Sequence, residues 1–142
     1  SAKNPSDLLA RFELVQTQLD LGRCQLALGF ELEAGGNLAR VGKLLEGLAE
    51  ASRAEGVLTR YYAQTTHRFG TVLHEHALDE SASARGLGEA RAWLEQAEEA
   101  FRTLGERGQA LPLDVRDLTL VRAELERVHA AETERTAHEG RQ

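Results

Sequence analysis

Three histidines, His67, His74 and His76, form the only ionisable cluster in the sequence that suggests chemistry. On a helix, His67 and His74 would point the same way but lie about 10 Å apart along the axis, too far apart to bind one metal ion. His76 and Glu80 are four residues apart, but two ligands at a helix end make a poor metal site. We therefore predict no metal site and interpret these histidines as groove or surface residues.

The segment His67-Arg68-Phe69-Gly70 suggests a second kind of chemistry. It resembles the phosphoacceptor segment of histidine phosphotransfer bundles, in which an exposed histidine lies on a long helix. The family pattern His-x-Leu-Lys-Gly differs in two ways, because Gly70 comes one residue early and the lysine is missing. Phosphotransfer through His67 is therefore kept as an alternative function.

Signatures of other catalytic or cofactor-binding sites are missing from the sequence. There is no Gly-x-Ser-x-Gly, no phosphate-binding P-loop and no pair of carboxylates in a recognisable setting. The single cysteine, Cys24, lies beside an apolar stripe, and we predict a packed, inert thiol. We therefore predict that the protein is not an enzyme and binds no cofactor.

Composition and charge narrow the class of protein. The chain has 142 residues, of which 42% are hydrophobic, and these numbers are typical of one globular domain. A net charge of -6 argues against nucleic acid as a partner, and no apolar run is long enough for a membrane span. One cysteine favours a reducing compartment, so we predict a cytoplasmic protein. Nearly all the basic residues are arginine, which favours a bacterial source.

Apolar residues recur at steps of three and four, which is the spacing of amphipathic helices. Asn4 and Pro5 form a start signal, Gly35-Gly36 is the strongest breaker, and a mobile loop is expected over 79–88. Ser1-Ala2 resembles the remnant of a cleaved tag, so a disordered start is expected over 1–3. We predict one domain over 4–130 and helices at about 5–30, 37–55, 57–79, 87–105 and 114–132. The polar tail over 131–142 is expected to be frayed or to continue as a solvated helix.

The sequence contains an internal repeat. Residues 38–56 and 87–105 align without gaps and share seven identities in nineteen positions. The first and third predicted helices align more weakly, through matches that include Gly22 with Gly70. The order of helices is therefore A, B, A, B, followed by a fifth helix where the next A helix would lie.

At these positions the chain resembles the tetratricopeptide-repeat (TPR) family over about residues 8–130. Leu21-Gly22 and Phe69-Gly70 resemble the Leu-Gly doublet of the first TPR helix, and Ala97 with Phe101 resembles the Ala-x-x-x-Phe of the second. The repeat departs from the family in being longer than about 34 residues and in lacking the closing proline. The resemblance implies an all-α fold in which antiparallel helical hairpins stack as a TPR-like right-handed superhelix of about five helices.

The resemblance also implies a function. The first helix of each TPR hairpin lines a groove that binds a peptide or partner helix, which makes the chain a scaffold or sensor module of a larger bacterial signalling protein. No Lys/Asn clamp of the chaperone-tail-binding type is present. Mapped onto this sequence, the groove positions that we predict to contact a protein or peptide partner are Gln16, Arg23, Gln64, His67, Thr71 and His74.

The fifth helix leaves one further alternative open. Leu118, Val121, Leu125 and Val128 approximate a heptad seam, a pattern that forms a coiled coil when two chains pair. Packing of this stripe on the fourth helix is the favoured interpretation. A homodimer through the fifth helix, and a chain that serves only as a dimerisation spacer, are the alternatives.

Overall fold

The computed structural model describes residues 4–54, 56–79 and 84–141, and this part of the chain is all-α, as predicted. No strand occurs in the described residues, and none of their helices is both long and apolar enough to cross a membrane. Besides one 3-10 turn (Ala51–Arg53), they form five helices: α1 (Pro5–Ala27), α2 (Glu31–Leu48), α3 (Gly56–Asp79), α4 (Ala84–Glu106) and α5 (Pro112–Gly140).

The chain divides into two compact units, and the division falls inside α3, between Thr65 and Thr66. Unit 1 contains α1, α2 and the first part of α3. Unit 2 contains the rest of α3 together with α4 and α5. The stacking of hairpins into a superhelix stays a prediction.

Helix α1 begins as the sequence predicts. The side-chain oxygen of Asn4 accepts a hydrogen bond from the Ser6 N–H at 2.9 Å, and Pro5 occupies the first turn, where its missing N–H costs nothing. The spacing of three and four predicts a buried stripe on this helix, Leu8, Phe12, Val15, Leu19, Gly22 and Leu26. All of these residues are buried except Leu26, which is half-buried near the end of the helix. The Phe12 ring lies 6.1 Å from that of Tyr61, which ties α1 to the start of α3.

The turn between α1 and α2 lies earlier than predicted. Gly29 adopts a φ of +84°, and the Phe30 N–H donates to the Gln25 carbonyl at 2.8 Å, which is a glycine-terminated helix end. Gly35 and Gly36 therefore lie inside α2, where they are exposed. The burial of Ala34, Leu38, Val41, Leu45 and Leu48 along one face of α2 outweighs the low helix propensity of the two glycines. Asn37 follows the glycine pair and would cap a helix that began there, but it lies inside α2, and its side chain donates to the Gln25 side chain.

The second hairpin also differs from the prediction in its boundaries. Helix α4 begins at Ala84, inside the predicted loop, while positions 80–83 of that loop lie outside the described residues. Helix α5 begins at Pro112, two residues before the predicted start, so Asp114 lies in its first turn. There its carboxylate accepts the Leu111 N–H at 2.8 Å.

Helix α5 continues to Gly140 instead of fraying after residue 131. The Arg91 Nε on α4 lies 3.0 Å from a Glu132 carboxylate oxygen, and Arg135 pairs with Glu139 one turn further along. Each such exposed pair stabilises a helix only slightly, but several along one helix add up. These ion pairs therefore stabilise the last turns of α5, where the apolar periodicity of the sequence has ended.

The predicted stripe on α5 packs inside unit 2. Val121 and Val128 are fully buried, Leu118 and Leu125 are half-buried, and α5 lies directly against α4. The favoured interpretation of this stripe is confirmed. Val121 and Val128 are therefore not available as a seam for a second chain.

Two glycines let paired helices approach closely. A Cβ at Gly22 would lie 3.0 Å from the Leu38 side chain, and a Cβ at Gly70 would lie 2.7 Å from the Leu94 side chain. Both glycines are buried, and each belongs to a Leu-Gly or Phe-Gly pair in the sequence. Glycine is required at Gly70 in particular, because Leu94 also brings its backbone nitrogen within 3.2 Å of that position.

Replacing Gly70 by alanine should destabilise the protein by about 1–3 kcal/mol, because the added methyl group overpacks a fully buried contact with Leu94. Gly22→Ala should be nearly neutral, since the helix gain of about 1 kcal/mol offsets milder crowding against the flexible end of Leu38. Gly47→Ala is the matched control. It lies in a helix with no atom within 4 Å and should be stabilising. Urea unfolding measures all three, and a neutral Gly70→Ala would contradict the close approach.

Candidate functional site

The predicted groove residues of unit 1 differ in exposure. Arg23 is exposed on α1, whereas Gln16 and Gln64 are half-buried. The Gln16 side chain donates to the Thr65 hydroxyl at 3.5 Å, a contact between α1 and α3. Of these three positions, Arg23 is the one whose side chain is presented mainly to solvent. Their role in partner binding stays a prediction.

The predicted groove residues of unit 2 meet at one carboxylate. His67, Thr71 and His74 are spaced by four and three residues, so they share one face of α3. That face meets Glu124 of α5. The Thr71 hydroxyl donates to Glu124 Oε1 at 2.7 Å, and His74 Nδ1 lies 3.0 Å from Glu124 Oε2. His67 Nε2 lies 3.8 Å from Oε1, beyond hydrogen-bond distance.

Glu124 is buried, with only 6% of its surface exposed. A carboxylate in such a place is tolerated when hydrogen-bond donors replace the water that it has lost. Here each oxygen has its own donor, Thr71 for Oε1 and His74 for Oε2. With Glu124 as the acceptor, His74 carries its proton on Nδ1. His74 is itself 6% exposed, so a partner could reach it only if α5 moved away.

Burial lowers the pKa of His67 below its ordinary value of 6.5. Loss of water disfavours the charged imidazole, and this effect exceeds the opposing attraction of Glu124 and Asp117, both on α5. His67 is therefore an uncharged neighbour of the carboxylate near neutral pH. It adds packing to the contact between α3 and α5 more than charge.

This geometry bears on the two chemistries that the histidines suggested. His67 and His74 approach different oxygens of one carboxylate instead of a common point, and nowhere in the described ranges are three His, Cys, Asp or Glu side chains grouped to hold a metal ion. Phosphorylation of His67 on Nε2 would bring a second anion against Glu124. The carboxylate therefore disfavours phosphotransfer at that nitrogen.

Glu124 did not emerge from the sequence as a site residue. It lies three residues after Val121 and four before Val128, so helical spacing puts it on the buried face of α5. An acidic residue at a core position calls for donors from elsewhere in the chain. The spacing therefore indicates that Glu124 is buried, but its hydrogen-bond partners, Thr71 and His74, lie about fifty residues earlier in the chain.

Cys24 also differs from its prediction. Its thiol is exposed on α1 instead of packed, because the buried face of the helix passes through Leu19 and Gly22 and leaves Cys24 on the outer side.

Unit 2 also carries an open apolar groove between the end of α4 and the start of α5. Its volume is about 310 Å³, and we call it the α4–α5 groove. Leu111, Leu113 and Val115 are large apolar residues exposed at this end of α5. The groove is lined by Phe101, Arg102, Gly105, Glu106, Ala110, Asp114, Val115 and Leu118.

The lowered pKa of His67 predicts how stability depends on pH. The unfolded chain binds the His67 proton at a higher pH than the folded chain, so this group makes stability fall as pH decreases below about 6.5. The fall ends once the pH is below the pKa of the folded state. His67→Gln should remove this contribution, which urea unfolding at a series of pH values measures. His129→Gln, an exposed control on α5, should follow the wild type. Parallel wild-type and His67→Gln curves would contradict the assignment.

Comparison with protein-family models, with curated proteins and with solved structures finds no match to this chain. The arrangement of its own side chains therefore carries the functional argument.

Proposed function

We propose that the chain is a TPR-like protein–protein interaction module, a scaffold or sensor part of a larger cytoplasmic bacterial signalling or regulatory protein. It acts by binding a peptide or partner helix and not by catalysis. The observation that supports this proposal is the α4–α5 groove, an apolar concavity beside exposed leucine and valine side chains. Exposed apolar patches of this kind are typical of protein-binding surfaces.

The shape of the groove favours a peptide or helix over a small metabolite. At about 310 Å³ it is at the lower end of ligand pockets and accepts one or two bulky apolar side chains. Phe101 and Leu118 line it from opposite helices, and Val115 stands at 59% exposure on the α5 side. An amphipathic helix that inserts an apolar anchor here would cover Val115 and extend over Leu111.

Charged residues beside the groove would orient such a partner. Arg102 and Glu106 of α4 both line the groove and lie 3.6 Å apart. This pair is largely exposed, and its two charges hold each other weakly, so a bound chain could replace either of them with a charge of its own. The groove therefore supplies an apolar anchor site with both signs of charge nearby.

The resemblance to TPR proteins is supported by the two close approaches of helices at Gly22 and Gly70. Arg23 remains a predicted contact on the A-helix surface of unit 1, since its side chain is exposed. The exposed thiol of Cys24 supports a reducing compartment, because an unpaired exposed thiol is oxidised readily outside one.

Peptides selected from a displayed random library on the immobilised chain test this function. We expect selected peptides to carry bulky apolar anchors and to bind Val115→Glu at least tenfold more weakly in fluorescence anisotropy, because a charge would enter the apolar groove. Val57→Glu, at an exposed valine in unit 1, is the matched control and should bind like the wild type. Both substitutions are at exposed positions, so the fold should be retained, which circular dichroism verifies.

Two results would contradict the proposal. Equal binding to wild type and Val115→Glu would show that the groove is not the site. Loss of binding with Arg23→Glu and not with Val115→Glu would move the site to the A-helix surface of unit 1.

A further inference from the structure

Helix α1 carries a second stripe of apolar and small residues on the face opposite its buried one. Leu14 and Leu21 on α1, and Leu28 at its C-cap, are exposed although they are large, at 48%, 47% and 71%. The exposed side chains of the stripe, which we call the α1 outer stripe, are Ala10, Leu14, Thr17, Leu21, Cys24 and Leu28.

The spacing of the α1 outer stripe is that of a coiled-coil seam. Leu14, Leu21 and Leu28 are seven residues apart, and Thr17 and Cys24 each follow a leucine by three residues. The Thr17 hydroxyl donates to the Glu13 carbonyl, so the outward contact of Thr17 is its methyl group. At 3.6 residues per turn, this stripe lies roughly 160–200° around the helix from the buried stripe. Helix α1 therefore has two apolar faces, and the fold of unit 1 uses one of them.

We infer that the α1 outer stripe is a homodimer seam, in which α1 of a second copy of this chain packs alongside in parallel. A heptad stripe is complementary to its own copy, because each leucine layer meets the same layer of the other chain. Self-pairing in parallel puts Leu14, Leu21 and Leu28 each against its counterpart. This inference is independent of the α4–α5 groove, which lies in unit 2.

The charges beside the stripe select the parallel orientation. Glu13 and Asp20 each precede a stripe leucine by one residue, on one flank of the seam. In a parallel pair this flank faces the opposite flank of the other chain, where Gln18 and Gln25 lie. Gln25 Oε1 accepts from Asn37 of α2, which leaves the Gln25 NH2 group to donate. In an antiparallel pair the acidic flanks would face each other. An amide NH2 group donates a hydrogen bond to a neighbouring carboxylate, whereas two carboxylates repel.

The state of α1 before pairing also favours association. Its inner face is fixed on α2 and on Tyr61, so the helix is already formed when the second copy arrives. Pairing therefore does not include the entropy of forming a helix. Small residues alternate with the leucines and bury less apolar surface between the two helices. We therefore expect a weak dimer that dissociates on dilution.

Light scattering after gel filtration of the full chain, over a wide concentration series, tests the seam. The wild type should rise from 15.6 kDa to twice that mass, and Leu14→Glu/Leu21→Glu should stay at 15.6 kDa. The matched control is Leu113→Glu/Leu120→Glu, which changes two exposed leucines with the same spacing on α5 and should dimerise like the wild type. A wild type that stays monomeric at the highest concentration, or a dimer that survives the α1 substitutions, would overturn the inference.

Cys24 reports the orientation, because it is the only cysteine of the chain and lies on the seam. In a parallel pair the two Cys24 thiols face each other, so a short bismaleimide should join the two chains through thioether bonds. Cys24→Ser should abolish this product. A dimer that the reagent does not cross-link would overturn the parallel arrangement. Peptide binding to the Val115 surface should be unaffected by the α1 substitutions, which separates this test from that of the proposed function.

Discussion

The buried carboxylate of Glu124 is the interaction on which the arrangement of unit 2 depends. Apolar side chains such as Val121 and Val128 hold α5 in the core, but their attraction has little directionality. A buried carboxylate, in contrast, must meet donors at defined points, and Thr71 and His74 provide them. The hydrogen bonds therefore fix the rotation and register of α5 against α3 where burial alone would allow neighbouring alternatives.

The contact between α3 and Glu124 bears on which surfaces of unit 2 are open to a partner. In unit 2, three of the predicted groove residues on α3, His67, Thr71 and His74, approach Glu124 of α5. The exposed apolar surface of the described residues includes the α4–α5 groove and the α1 outer stripe. One belongs to unit 2 and the other to unit 1. A module that pairs through α1 could present two α4–α5 grooves, and this would raise its avidity for a partner with two binding segments.

Local signals predicted much of the fold, and contacts distant in sequence explain most of what was missed. The Asn4 cap, the buried stripe of α1 and the α5 stripe on α4 follow from spacing within a few residues. The predicted break at Gly35-Gly36 was wrong because the first helix ends at Gly29. A positive φ is required there, and one glycine is sufficient for it. Glu124 was missed because its donors come from another helix, and the outward face of Cys24 depends on which stripe packs inward.

A double-mutant cycle between Glu124 and His74 tests the central claim most directly. The free energies of unfolding of Glu124→Ala, His74→Ala and the double variant give the coupling between the two side chains. We expect a coupling of about 0.5–3 kcal/mol, as for residues in one buried hydrogen-bond network. The pair Glu126→Ala and His74→Ala, with Glu126 exposed on the same helix, should be additive. A coupling between Glu124 and His74 within about 0.3 kcal/mol of zero would contradict the account.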